Sequence, residues 1–169
     1  MTALKEVKVS QVIDGSLGAY TAKDVVGADD CCTTKAVTWD FDVGGIAGGY
    51  VKIHTARLFN ETENQAVQYD LDLYNATPTC ELRDNAASTS PLKADMAKWI
   101  GRITFPFSIA NGSTVATTTQ ATPSTSGRLP MVIKCALGMT MIYGVLVTNT
   151  AYTQTTGDAI EITLLVEQY

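Results

Sequence analysis

The sequence predicts an all-β protein that forms a single antiparallel β-sandwich, of jelly-roll or Greek-key type, with one short helix. Short segments alternate apolar and polar residues with a period of two, and the stretches between them are rich in Gly, Asn, Thr and Ser. The 169 residues are 46% hydrophobic and 17% charged, which is typical of a globular chain with its own core. We therefore expect residues 1–169 to form one domain.

The clearest strand signal is AVQYDLDLY, residues 66–74. Its large apolar residues fall on one face and Asp70 and Asp72 on the other, as a half-buried antiparallel strand requires. Residues 50–59 alternate in the same way, and the intervening NETENQ predicts a turn. Further strands are predicted at 36–42, 102–107, 130–137, 141–149 and 158–167, with weaker candidates at 3–9 and 19–26.

One segment departs from the strand pattern, namely SPLKADMAKWIG at residues 90–101. Ser90 stands at an N-cap position, Pro91 at the first helical position and Gly101 at a stop, with apolar residues at helical spacing between them. We expect a short helix here that covers one end of the sandwich. The Thr/Ser-rich residues 110–127 predict a long loop, and loops of that length are often functional surfaces.

The formal net charge of −5 argues against nucleic-acid binding, which needs clustered Lys and Arg against the phosphates. No stretch approaches the roughly 18 to 20 apolar residues of a membrane span. The amino end interleaves charged and apolar residues, so we expect synthesis in a cytoplasm without an export signal.

The spacing of the four cysteines weakens both a zinc and a disulfide interpretation, and it leaves open whether Cys80 or Cys135 forms a bond. Cys31 and Cys32 are adjacent, and Cα atoms about 3.8 Å apart are too close for an ordinary disulfide. Cys80 and Cys135 are isolated, whereas zinc sites have pairs separated by two to four residues. We expect reduced thiols packed as small apolar groups, with no metal and no cofactor.

Paired carboxylates are the most suggestive candidates for chemistry. Asp70 and Asp72 share one strand face, and Asp40 and Asp42 repeat the arrangement in WDFD. Such pairs can bind calcium or act as acid and base on a sugar. The interpretation that we favour is the solvated outer face of a half-exposed strand.

Three further groups of candidate residues are explained without a catalytic or ligand-binding role. Asp84 and Asn85 follow a strand, where such side chains cap turns. His54 is the single histidine and lies within a predicted strand without a nucleophile motif, so we interpret it as structural. Several aromatic residues fall at inward strand positions, where core packing explains them, so a loop residue such as Tyr152 is the more plausible sugar platform. We therefore assign no catalytic residue and expect no enzyme.

Several segments follow one another in a characteristic order, namely YTAKDVVG (20–27), GGYVKIHTARLF (48–59), YDLDLYNATPTCELRDNAAST (69–89), GRITFPF (101–107) and IYGVLVTNTAYT with DAIEITLLVEQ (142–168). This order resembles the small jelly-roll virion proteins of tailed bacteriophages known as head decoration, cement or auxiliary capsid proteins. The resemblance covers most of the chain through spacing and composition, and it includes no catalytic signature.

The resemblance implies a structural protein on the outer head surface, commonly a homotrimer, that clamps neighbouring major capsid subunits. It provides no contact motif to transfer residue by residue. From the sequence itself we expect an N-terminal arm within residues 1–18, with Leu4, Val7 and Val9, to add a strand to a neighbour's sheet. Trp99 is expected to anchor a subunit contact. Deleting residues 1–10 should then abolish assembly or head binding.

The main alternative is a carbohydrate-binding β-sandwich, either a free module or a phage tail or host-recognition protein. That alternative needs exposed aromatic residues or a calcium site at the loop ends. A glycosidase is a third and weaker hypothesis, in which Asp70 and Asp72 would be the catalytic residues.

Overall fold

The computed structural model describes residues 3–28, 38–112, 116–123 and 128–169. Its regular structure in these ranges is almost entirely β, which confirms the all-β prediction. Short 3-10 helices span Gly15–Leu17 and Lys93–Asp95. The strands are β1 (Ala3–Val12), β2 (Val25–Val26), β3 (Trp39–Asp42), β4 (Tyr50–Glu63), β5 (Tyr69–Tyr74), β6 (Trp99–Phe105), β7 (Ile109–Ala110), β8 (Ala116–Ala121), β9 (Met131–Lys134), β10 (Met141–Thr148) and β11 (Ala159–Gln168).

The first sheet has six antiparallel strands in the order β1-β11-β4-β8-β7, and β9 pairs with the same edge of β4 as β8. β11 lies between β1 and β4, so the first and last strands of the described chain are neighbours. The register of β4 against β11 shifts between Leu165 and Val166, which leaves His54 as an extra residue in a bulge.

The second sheet has five antiparallel strands in the order β2-β10-β5-β6, with β3 pairing with the same edge of β10 as β2. Gly144 lies at the centre of β10, where three strands meet. A Cβ atom at that position would lie 2.8 Å from Leu71 Cδ1 and 3.1 Å from Phe41 Cε2. Glycine therefore allows the large side chains of the neighbouring strands to close over β10.

The two sheets pack face to face around one main core. Alternate residues of each strand point between the sheets, as the period-two pattern requires. The core includes Val7, Ile53, Leu58 and Leu164 from the first sheet and Phe41, Leu71, Phe105 and Ile142 from the second. The arrangement is sandwich-like, and the jelly-roll or Greek-key connectivity stays a prediction.

The predicted helix at residues 90–101 is present only as the 3-10 turn Lys93–Asp95. Its predicted extent and caps are wrong. The Ser90 hydroxyl does not cap a helix but donates to Asp72, and Trp99 begins β6. The reason is tertiary, because β5 offers a strand edge to the end of this segment and sheet pairing overrides helical spacing.

The prediction of one loop over residues 110–127 is also wrong, because β7 ends and β8 lies within it. Residues 113–115 and 124–127 lie outside the described residues. Thr117 and Thr119 are buried on the inner side of β8, and their β-branched side chains favour a strand. Polar composition therefore concealed a period-two pattern.

Several strand boundaries also differ from the prediction, and the largest differences are at β4 and β2. β4 continues through Glu63, so most of NETENQ is strand, and the chain turns at Asn64, which has a φ of 54°. The weak candidate at 19–26 contributes only Val25–Val26 as a strand. No helix among the described residues is long and apolar enough to cross a membrane.

Candidate functional site

Asp70 and Asp72 lie on β5 and point away from the main core. The register of β5 against β6 places Arg102 opposite Asp72 and Thr104 opposite Asp70. Since directly opposed residues share a face, these four side chains form one cluster on the outer side of the second sheet. We call it the Asp–Arg cluster.

Arg102 and Asp72 form a bidentate ion pair at the centre of this cluster. Arg102 Nε donates to Asp72 Oδ1 at 2.9 Å, and Nη2 donates to Oδ2 at 2.7 Å. This fork geometry is among the strongest arrangements of a charge-assisted hydrogen bond. Hydrogen bonding to Asp72 raises the pKa of the Arg102 guanidinium.

Asp72 accepts two further hydrogen bonds. Ser90 Oγ donates to its Oδ2 at 2.7 Å, and Trp99 Nε1 donates to its Oδ1 at 3.1 Å. Each oxygen thus accepts two bonds, which is the usual capacity of a carboxylate. Asp72 therefore has no lone pair left for a metal ion or a substrate proton, and its role in this arrangement is structural.

The connection between β5 and β6, residues 75–98, covers this side of the sheet. A second, smaller apolar cluster lies beneath it, consisting of Val25, Tyr74, Cys80, Val145 and Val147, with Leu82, Leu92, Trp99 and Tyr143 packed against it. The prediction of a solvated face is therefore wrong for Asp70 and Asp72, which are 5% and 0% exposed. It is confirmed for Asp40 and Asp42, which are exposed.

Asp84 links the covering connection to the residues on both sides of β2. Tyr20 Oη donates to both Asp84 oxygens, at 2.7 and 2.8 Å, and the Gly27 amide donates to Oδ1 at 3.0 Å. Burial, with a further contribution from the Asp84 charge, raises the pKa of Tyr20 far above its usual value. Asn85 Nδ2 donates to the Leu17 carbonyl oxygen at 3.0 Å. Asp84 and Asn85 thus join distant segments, whereas local turn capping was predicted.

Tyr152 is not a sugar platform. It is buried and stacks on Tyr20 with a centroid distance of 4.8 Å and an interplanar angle of 8°. Tyr69 meets Tyr152 edge-on at 5.9 Å. The loop position misled the sequence prediction, because the backbones of Tyr20 and Tyr152 form an isolated β-bridge that draws this residue inward. Tyr50 and Tyr169, in contrast, are about half exposed.

A polar pocket of about 270 Å³ opens beside the Asp–Arg cluster. Asp70 Oδ1 accepts a hydrogen bond from Thr104 at 2.8 Å, but Oδ2 has only long contacts, 3.4 Å to Arg102 Nη1 and 3.7 Å to Lys23 Nζ. Lys23 also donates to the side chain of Asn149. The pocket is lined by Lys23, Asp70, Ser88, Ser90, Pro91, Arg102 and Val147. Asp70 can therefore accept a further hydrogen bond from a small polar ligand.

The remaining candidates from the sequence occupy structural positions. His54 Nε2 lies 2.9 Å from Glu167 Oε2 on the outer face of the first sheet. Cys80 and Cys135 are free and buried, as predicted, and burial raises the pKa of both thiols. Cys31 and Cys32 lie outside the described residues. The part of the chain that the structure describes contains no group of three or more His, Cys, Asp or Glu side chains arranged to hold a metal ion.

The predicted contact residues fall in different environments. Leu4 is 67% exposed at the start of β1, whereas Val7 is buried in the chain's own core and Val9 packs against it. Residues 3–12 are thus a strand of the chain's own sheet, and of its three predicted contact residues Leu4 alone has an exposed side chain. Trp99 is half-buried over the second apolar cluster, where Arg128 lies 5.8 Å from its ring centroid.

One exposed apolar surface was missed by the sequence analysis. Ile46, Leu137 and Met139 are 70%, 96% and 40% exposed on two adjacent turns, and we call them the apolar tip. The turns are joined by hydrogen bonds from the Gly48 amide to the Met139 carbonyl at 2.8 Å and from the Cys135 amide to the Gly49 carbonyl at 3.0 Å. The available signal was the large apolar residues in the turn sequences GGIAGG, with one, and ALGM, with two.

In comparisons with known proteins, no family model matches the chain, and the curated proteins give no significant match.

Proposed function

We propose that this chain is a non-enzymatic structural protein of a bacteriophage virion, which decorates the outer surface of the head and stabilises the shell. The partner is the major capsid protein, and the chain is made in the host cytoplasm. The segment order that resembles head decoration proteins motivates this proposal. The negative net charge suits an outer surface that does not contact DNA.

The observation that carries the proposal is the apolar tip. Single exposed apolar residues are common on protein surfaces, but neighbouring ones on two hydrogen-bonded turns favour a protein contact. Leu137, with 96% of its surface exposed, is free to enter a pocket on a partner. A shell repeats the same contact many times, so a modest contact of this kind is sufficient when it is multiplied.

Binding to bare heads tests the proposal. We expect the Leu137→Asp variant to bind heads built from the cognate major capsid protein about tenfold more weakly than the unchanged chain, because a buried apolar anchor is replaced by a charge. Met96→Asp is the matched control, since Met96 is 48% exposed in the covering connection, outside the apolar tip. Equal binding of both variants would show that the apolar tip does not contact the head. If the unchanged chain does not bind heads, the proposed decoration function is refuted.

A homotrimer on the shell is part of the same proposal. Light scattering coupled to gel filtration should then give about three times 18.0 kDa, with no response to calcium. Deleting residues 1–10 no longer tests head binding by itself, because the deletion would remove most of β1 from the sheet. Leu4→Asp is the better variant, since it changes an exposed side chain and leaves the strand in place.

The polar pocket beside Asp70 supports a second candidate, a glycan-binding protein of the virion or a free carbohydrate-binding module. Its lining combines donors on Lys23 and Arg102 with an acceptor on Asp70, which suits neutral sugar hydroxyl groups. A glycan array should show binding that Lys23→Ala weakens and Lys134→Ala does not. Silence of the unchanged chain on the array would eliminate this candidate.

A further inference from the structure

Within the part of the chain that the structure describes, the outer edge of β1 has no strand partner. β1 pairs with β11 from Ala3 to Val12, and no other described strand pairs with it. A sheet edge presents unpaired backbone N–H and C=O groups to any strand of suitable register. Ten residues is long for an edge strand, so this edge is a candidate interface whose specificity depends on its side chains.

The side chains of β1 are self-complementary about Val7. On the solvent face the order along the strand is Leu4, Glu6, Lys8, Ser10 and Val12. When two copies of this strand run antiparallel about a two-fold axis at Val7, Glu6 of each copy lies opposite Lys8 of the other. We propose that a second copy of this chain pairs with the first along β1 in this register, which joins two sheets into one.

Other symmetric registers are less favourable. An axis at Glu6 places Glu6 opposite Glu6, and an axis at Lys8 places Lys8 opposite Lys8, and like charges directly opposite destabilise a pair. A slip of one residue on one strand moves its apolar residues to the wrong face. Of the registers centred on Glu6, Val7 and Lys8, charge therefore favours the one centred on Val7, which alone places Glu6 opposite Lys8.

This register also covers exposed apolar surface. Leu4 and Val12 are 67% and 62% exposed in the single chain. Leu4 lies opposite Ser10 of the second copy, and Val12 of that copy is then its diagonal neighbour on the same face, within reach of a long side chain. The two-fold axis creates this contact twice.

Lysines on an edge strand usually discourage pairing, and β1 has two. Lys5 Nζ donates to the Asp42 carbonyl oxygen at 3.0 Å. The Lys5 ammonium group is thus directed to β3 of the chain's own second sheet and not to the outer edge of β1. Lys8 forms an ion pair with Glu161 at 2.6 Å but remains 61% exposed. It can therefore contact Glu6 of a second copy without leaving Glu161.

The pairing needs only the chain itself and no capsid protein, so it goes beyond the proposed function and can fail independently of it. A free chain that pairs only in this way is a dimer. Where copies also form trimers on a shell, the same edge links one trimer to the next.

Charge reversal at the two positions tests the register. We expect the purified chain to associate in sedimentation equilibrium, and Glu6→Lys or Lys8→Glu alone to weaken the association at the β1 edge about tenfold, since each change makes two pairs repulsive. A mixture of the two single variants should associate as strongly as the unchanged chain, because Lys then faces Glu at both positions. The double variant E6K/K8E should also recover association with itself.

Lys134→Glu is the control, because it reverses an exposed lysine on β9 of the same sheet, away from the β1 edge. Circular dichroism of each variant establishes that the fold is retained. The proposal is overturned if the unchanged chain stays a monomer or stops at a trimer at all concentrations, if neither single reversal weakens association, or if the mixture fails to restore it.

Discussion

β3 and β5 are both neighbours of β10, yet their carboxylates have opposite environments. WDFD in β3 and YDLDLY in β5 have the same alternation of acidic and large apolar residues. In β3 the aspartates are exposed, whereas every residue of β5 is buried. Residues 75–98 account for the difference, because they cover the outer side of β5.

The comparison teaches that alternation reports which residues share a face but not whether that face meets water. Burial of a charged side chain costs free energy unless partners replace the lost hydration. Asp72 meets this requirement with Arg102, Ser90 and Trp99, which come from the covering connection and the strand that follows it. Asp40, with its neighbour Thr38, needs no such set.

Replacing Asp72 by Asn is expected to give the largest effect. The variant leaves the half-buried Arg102 with only its longer ion pair, to Asp70, and we expect it to lower the free energy of unfolding by about 3 kcal/mol. Asp40→Asn on the exposed face of β3 should change it by less than about 0.5 kcal/mol. Urea denaturation of both variants measures the difference, and similar small losses would contradict our account of the Asp–Arg cluster.

Replacing Arg102 by Lys should have an intermediate effect. Lysine keeps the positive charge but cannot form the two parallel hydrogen bonds to Asp72, so we expect a loss of about 1.5 kcal/mol. Arg57→Lys on the outer face of the first sheet is the control, since Arg57 is exposed. If the midpoint of urea denaturation is unchanged in Arg102→Lys, a positive charge without the fork geometry is sufficient to stabilise the buried Asp72.

The smallest effect is expected at Glu81 in the covering connection. Hydrogen bonding to Arg83 lowers the pKa of Glu81 to about 2, from a usual value of 4.5. Since the pKa is lower in the folded chain, the stabilisation is present above about pH 4.5 and is lost as the pH falls towards about 2.

Glu81→Gln tests this pH dependence. Because the Arg83 side chain is 65% exposed, solvent screening limits the loss near neutral pH to about 0.5 kcal/mol. The variant and the unchanged chain should converge in stability as the pH approaches 2. A difference that persists or grows in acid would show that the ion pair is not its cause.

Much of the strand content follows from the sequence, because β4, β5, β10 and β11 carry β-branched and apolar residues with a period of two. β8 was missed because its inward positions are occupied by threonine and alanine, which do not form a visible apolar pattern. The segment from Ser90 to Trp99 was misread because its partners, Asp72 and Tyr74, lie far back in the chain.

The candidate sites were less predictable than the strands. Asp70 and Asp72 were singled out correctly as a pair, but no local rule identifies Arg102 as their partner, since cross-strand register is a property of the folded sheet. The apolar tip depends on two turns that approach each other from distant parts of the sequence. Local pattern therefore identified residue types, and their neighbours required the tertiary structure.

The place of β11 between β1 and β4 has a consequence for synthesis on the ribosome. A nascent chain that lacks residues 159–168 has β1 and β4 but not the strand that joins them. The first sheet can form completely only after β11 has emerged from the ribosome. Until then, the edges of β1 and β4 that pair with β11 remain unpaired. We infer that this sheet folds late and that the nascent chain is most prone to aggregation just before β11 emerges.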